Sequence, residues 1–180
     1  MTDLTEIIKE RRSIRKYEEK NISEELVGKV LDAVRWTPSW VNTQSWEVIV
    51  VKNKIIKERL QATTSKGNPA AKAIVTAPVV FAVCGRLGKS GYYKDRVSTK
   101  FGDWYMFDLG LATQNLCLMA HHLGLGTVIV GSLNHDEAKE ILNIPAGYEL
   151  VVLIPMGYPA KTPLAPKRRE INEFTHYDMF

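Results

Sequence analysis

The chain has 180 residues, 45% of them hydrophobic and 24% charged, with a formal net charge of +4 at pH 7. That length buries a sizeable core without disulfides or metal, and one domain spanning 1–180 is expected. The positive excess comes without a ribonucleoprotein motif, zinc-finger spacing or helix-turn-helix, so nucleic acid is not an expected partner.

Met1-Thr2-Asp3 carries no signal-peptide pattern, and the longest fully apolar run, Pro78 to Cys84, is too short to span a bilayer. A soluble, cytoplasmic protein is expected. Asp3 followed three residues later by Glu6 predicts a helix start, with Leu4, Ile7 and Ile8 on one face. This helix delivers the cluster Arg11-Arg12-Ser13-Ile14-Arg15, and a second cluster, Lys167-Arg168-Arg169, stands far away. Three guanidiniums and a hydroxyl in five residues read either as a solvated charged run or as a receptor for an anion, of which phosphate is the simplest.

Ser23 predicts an N-cap with Ile22 and Val27 as a hydrophobic staple, and Leu26, Val27, Val30, Leu31 and Val34 form a helical stripe ending near Thr37, before Pro38. A polar loop with two indoles follows, from Pro38 to Trp46, and leads into a strand over Glu47 to Val51. Asn42 and Gln44 beside aromatics suit a planar heterocycle with polar edges, whereas Trp46 alone reads as core. Further on, a helix from Asn53 to about Thr64, a turn at Gly67-Asn68-Pro69, a short helical segment and an interior strand over Val79 to Val83 are expected.

Gly85-Arg86-Leu87-Gly88-Lys89-Ser90 is not a nucleotide-triphosphate loop, because Val83 stands where the first glycine is needed and Gly91 where a helix should begin. Residues 85–100 read instead as a charged excursion at a site mouth. The run from Asp103 to His122 is apolar nearly all round and predicts a helix buried on several faces, with Gly124 at C′ and a strand over Thr127 to Val130. Gly124-Leu125-Gly126 lies between a helix and a strand, the reverse of the Rossmann order. Asn134 with Glu137 caps a helix to about Leu142, and Glu149 to Met156 is the last strand. A proline-studded arm from Tyr158 completes the chain and is expected to lie across a neighbouring surface. Cys84 and Cys117 read as buried thiols, and none of the four histidines has metal-ligand spacing.

With these residues in order, the chain resembles the FMN-dependent nitroreductase family. The motifs are Arg11-Arg12-Ser13-Ile14-Arg15-Lys16-Tyr17, Pro38-Ser39-x-x-Asn42-x-Gln44-x-Trp46, Ala77-Pro78, Asp108-x-Gly110-x-Ala112-x-Gln114-Asn115-Leu116, Gly124-Leu125-Gly126-Thr127, Gly157-Tyr158-Pro159 and Pro166-Lys167-Arg168-Arg169. The resemblance implies an α+β fold, a mostly antiparallel sheet between helices, in a homodimer with an exchanged C-terminal arm and FMN at the subunit interface. It implies that Arg11, Ser13, Lys167 and Arg169 hold the phosphate and ribityl chain with Arg12 beside them, and that Arg15 sits near the N1 and O2 edge of the ring. Ser39, Asn42 and Gln44 would come from the other subunit, and Asn68 would reach the pyrimidine edge, although on its own it also reads as a turn residue before Pro69. Backbone around Gly131 and Ser132 would face flavin N5.

Where the family has a small residue this chain has Trp40, and where it has proline this chain has Ser45. An indole there narrows the pocket or stacks near the flavin. The implied activity is hydride transfer from NAD(P)H through FMN to electron-poor acceptors such as nitroaromatics, quinones or flavins, with no protein acid or base required. Dehalogenation, flavin fragmentation and a non-catalytic flavin- or anion-binding dimer are the alternatives on the same scaffold.

Overall fold

The computed structural model describes residues 3–180. Its helices are α1 (Leu4–Glu10), α2 (Glu24–Arg35), α3 (Lys54–Ala62), α4 (Ala71–Thr76), α5 (Tyr105–His122) and α6 (His135–Ile141). Its strands are β1 (Trp46–Val51), β2 (Val79–Arg86), β3 (Tyr92–Tyr93), β4 (Arg96–Val97), β5 (Gly126–Thr127) and β6 (Tyr148–Gly157). The main sheet runs β1-β2-β6-β5 with every pair antiparallel. This is the α+β arrangement expected from the sequence.

Local chemistry sets most boundaries. Ser23 Oγ accepts from Leu26 N, Asn53 Oδ1 from Ile55 N and Ile56 N, and Asn134 Oδ1 from Glu137 N, so three helices start on side-chain caps. Asp3 occupies the N-cap of α1 without such a bond. At the end of α5, Gly124 (φ +75°) donates to His121 O and Leu125 to Ala120 O, a Schellman closure that needs left-handed backbone. The strand expected over 127–130 keeps regular pairing only at Gly126 and Thr127, then rejoins through a bridge between Val130 and Leu153. Pro155 explains the gap. Val128 N reaches Pro155 O, but Pro155 has no N–H to return.

The sheet buries both faces. On one, Val79, Phe81, Val83, Ile154 and Met156 pack with α2 and α5 through Val30, Leu109 and Leu116. On the other, Val80, Ala82 and Leu153 pack with Leu60, Ile74 and Ala138 of α3, α4 and α6. Within residues 85–100, Gly85 and Arg86 end β2, and β3 pairs with β4 in a hairpin turned by Lys94 and Asp95 at φ 48° and 60°. Gly88 N donating to Asp103 Oδ2 at 2.7 Å and Trp104 N to Ser90 O at 3.0 Å tie that hairpin to the start of α5.

Both cysteines are free and buried. Burial pushes the Cys84 thiol up to about 12 from an ordinary 9.0 and raises Cys117 as well. A thiol that stays protonated longer in the folded state lends stability that is complete below the unfolded value and is lost as pH climbs toward the folded one. Urea midpoints are therefore expected to fall steadily between pH 9 and about 12, and a Cys84→Ala variant should show a shallower fall.

Candidate active site

Arg11 caps the end of α1, and the chain then runs extended beside β5. Ile14 N donates to Thr127 O at 2.8 Å, Ser13 pairs in parallel with Thr127, and Ile14 is buried at 3% exposure. With period-2 alternation, burying Ile14 turns Ser13 and Arg15 to the opposite face. Tyr17 staples this segment: its hydroxyl lies 2.8 Å from Ile14 O and 3.0 Å from Pro155 O, and burial raises its pKa. Gly126 is required for the close approach. A Cβ there would stand 2.4 Å from Ile14 Cγ1, so Gly126→Ala is expected to cost about 1–3 kcal/mol by overpacking. A thermal melt measures that cost.

The strand past Thr127 leads to Gly131 and Ser132, both exposed. Here two distant loops are sewn together. Ser65 N donates to Ser132 O at 3.1 Å, the Ser65 and Ser132 hydroxyls are 2.9 Å apart, and Asn68 Nδ2 donates to Ser132 O at 3.3 Å. Asn68 Oδ1 also accepts from Ala70 N, so its turn role and its place beside Ser132 coexist. Arg12 is occupied differently from its neighbours, its guanidinium donating to Arg11 O at 2.9 Å and to Lys9 O. It closes α1.

The loop holding Ser39, Trp40, Asn42 and Gln44 is built on left-handed backbone, with φ of 44° at Val41, 55° at Asn42 and 48° at Gln44. Such geometry costs energy and persists only where surroundings enforce it. The enforcer is Asp108. Buried in α5 at 1% exposure, its carboxylate accepts from Trp40 N at 3.0 Å and from Ser45 Oγ at 3.2 Å, while Ser39 Oγ accepts from Gln44 N at 2.9 Å. Ser45, standing in place of proline, thus supplies a hydroxyl to this network. Asp108 was visible in the sequence only as part of a motif on an otherwise apolar helix. Ser65 had no signal at all.

Lys167 and Arg169 lie on the exposed arm, where Arg169 sits 5.7 Å over the Phe174 ring. Among the described residues no hydrogen bond or ion pair joins the arm's basic cluster or the 39–44 loop to Arg11–Arg15 within one chain. Nor does any group of three or more His, Cys, Asp or Glu side chains among them suit a metal ion. No helix among them is long and apolar enough to cross a membrane.

The Nitroreductase family model covers residues 8–158, and this chain belongs to that family. It is 35% identical over 165 residues to a Methanothermobacter thermautotrophicus protein provisionally named NADH dehydrogenase/NAD(P)H nitroreductase, covering 89% of this chain and 80% of that one. It is 26% identical over 191 residues to the FMN reductase [NAD(P)H] of Bacillus subtilis, covering 98% and 75%. A Clostridium difficile nitroreductase family structure superposes with TM-score 0.82 at 26% identity, covering 99% of this chain and all of that one. An FMN-dependent nitroreductase from Clostridium difficile R20291 superposes at 0.83 with 24% identity, covering 98% of this chain and 100% of that chain, which bears on the fold.

Proposed function

We propose that this chain is an NAD(P)H-dependent flavin oxidoreductase that holds FMN and reduces electron-poor acceptors such as nitroaromatics, quinones or flavins. The observation that carries the reading is the state of its cations. Among the described residues Arg11, Arg15, Lys167 and Arg169 have no carboxylate partner, while Ser13 and Arg15 share the open face of an extended edge. Guanidiniums without a carboxylate partner, Arg15 donating only to Ser13 O at 3.3 Å, and an aligned hydroxyl fit a phosphate and a polar chain.

In this reading Arg11, Ser13, Lys167 and Arg169 hold the phosphate and ribityl end. Arg15 and Asn68 would meet the pyrimidine edge of the ring, and Gly131 and Ser132 would present backbone near N5. FMN held there would supply the hydride chemistry that links NAD(P)H to the acceptor. Arg15 places positive charge where electron density rises on reduction. Ser39, Trp40, Asn42 and Gln44 complete the site from the partner subunit, and Asp108 keeps that loop in shape. Sharing a site this way requires a homodimer. Leu4 of α1 and Trp36 just past α2, both exposed, line one shallow groove with the half-buried Leu118 and Met119 of α5, and a second copy can cover it.

Fluorescence titration of flavin-free protein with FMN tests the reading. Quenching that saturates at one FMN per chain supports it, and riboflavin should bind far more weakly. Equal affinity for riboflavin and FMN would remove the phosphate assignment.

A further inference from the structure

The seam between residues 63–68 and 131–134 holds more hydrogen bonds than joining two loops requires. Thr64 bridges Leu133, with Asn134 N donating to Thr63 O at 2.7 Å and Ser65 N to Ser132 O at 3.1 Å. Asn68 Nδ2 adds a second donor to Ser132 O at 3.3 Å, which fills both lone pairs of that carbonyl. Asn68 is itself fixed, its N–H donating to Ser65 O at 3.0 Å and its Oδ1 accepting from Ala70 N at 2.9 Å. Backbone and amide therefore determine where Ser132 stands. The contact of 2.9 Å between the Ser65 and Ser132 hydroxyls is additional.

Two hydroxyls carry two protons, and the bond between them uses one. Whichever oxygen donates, the other proton is left for a further acceptor. Beside it, the N–H groups of Gly131 and Ser132 donate to no backbone carbonyl among the described residues. Ser65, Gly131 and Ser132 are all exposed, so water meets these donors in the free chain, and a bound molecule replaces that water at little cost. Donors held on one fixed seam suit an oxygen or nitrogen that gains electron density during a reaction.

We propose that Ser65 is a positioning residue for the redox chemistry: its hydroxyl orients that of Ser132 toward the flavin ring and so sets how readily bound FMN takes up electrons. The inference rests on the oxidoreductase reading, which brings Gly131 and Ser132 to N5, and adds a residue that governs the cofactor from behind them. A lone serine hydroxyl rotates to whichever acceptor is nearest, whereas one bonded to Ser65 Oγ has its direction fixed. The overall step is NAD(P)H, one proton and FMN giving NAD(P)⁺ and reduced FMN. Reduction raises electron density along the ring edge around N5, and donors held in place there stabilise the reduced ring more than the oxidised one.

The test is the midpoint potential of bound FMN, read by anaerobic reductive titration against a reference dye, in the unaltered protein, Ser65→Ala, Ser65→Thr, Ser132→Ala and the double alanine variant. Every variant keeps the backbone bond from residue 65 to Ser132 O, so the seam survives the change of side chain. Ser132→Ala should shift the reduction equilibrium about tenfold toward oxidised FMN, about 30 mV for two electrons. Ser65→Ala should shift it the same way by at least about threefold, and Ser65→Thr, which restores a hydroxyl, should recover most of that loss. The double variant should match Ser132→Ala alone, because groups that act as one unit are not additive. An unaltered potential in Ser65→Ala, in protein whose flavin NADH still bleaches, overturns the role of Ser65 and leaves the oxidoreductase reading standing. A Ser65→Ala protein that no longer holds FMN overturns that role too, since Ser65 is then a binding prop. Unaltered protein that takes up no FMN overturns both.

Discussion

Arg11→Ala is expected to weaken FMN retention by about 1–3 kcal/mol, the scale of one charge-assisted contact, or roughly five- to 150-fold in Kd. The reasoning is local. Arg11 sits half-buried where α1 gives way to the extended edge, and no carboxylate among the described residues neutralises it. Its neighbour is the control. Arg12 already donates to Lys9 O and Arg11 O, so Arg12→Ala should cost stability at the end of α1 and change flavin affinity much less. Equilibrium dialysis on both variants separates the roles. Equal flavin content in Arg11→Ala and the unaltered protein would sink the phosphate assignment.

Deleting residues 161–180 should have a larger effect still, abolishing flavin retention and the proposed dimer together. The arm is joined to its own body chiefly by Ala160 N donating to Lys16 O and by the bridge of Tyr17 with Pro159. Beyond that point Leu164, Ile171, Tyr177 and Phe180 are all exposed. Four large apolar or aromatic side chains in water are a poor end state unless something covers them. On the body, β1 is an unpaired sheet edge beside a groove of about 680 Å³ lined in part by Val27, Leu31, Ile49 and Ile141. Edges of that kind are normally covered. An arm crossing to a second copy would cover such surface and carry Lys167 and Arg169 to a phosphate. Sedimentation analysis of the shortened chain decides the matter, and a dimer that keeps its flavin after the deletion would contradict an exchanged arm.

What the sequence made legible was what short-range chemistry controls. Ser23, Asn53 and Asn134 announce helix starts because a cap needs only the next three residues, and Gly124 announces a helix end because few other residues take its φ. The extended run after Arg11 was legible as a cluster but not as a sheet edge, since its register depends on Thr127. Ser65 stayed hidden because its partner Ser132 is distant in sequence and a lone serine before a turn has many uses. Asp108 stayed hidden for another reason. An apolar helix is read for what it buries, and one carboxylate that organises the 39–45 loop leaves no periodic trace. The hairpin at 92–97 was likewise read as an excursion, although Lys94-Asp95 adopts the left-handed pair that a tight turn demands.

The most direct measurement is the visible absorption spectrum of FMN-loaded protein before and after anaerobic addition of NADH, and then NADPH. Two flavin bands that bleach with at least one nucleotide and return when menadione is added are the expected result. Bands that persist with both nucleotides would contradict the proposed oxidoreductase function.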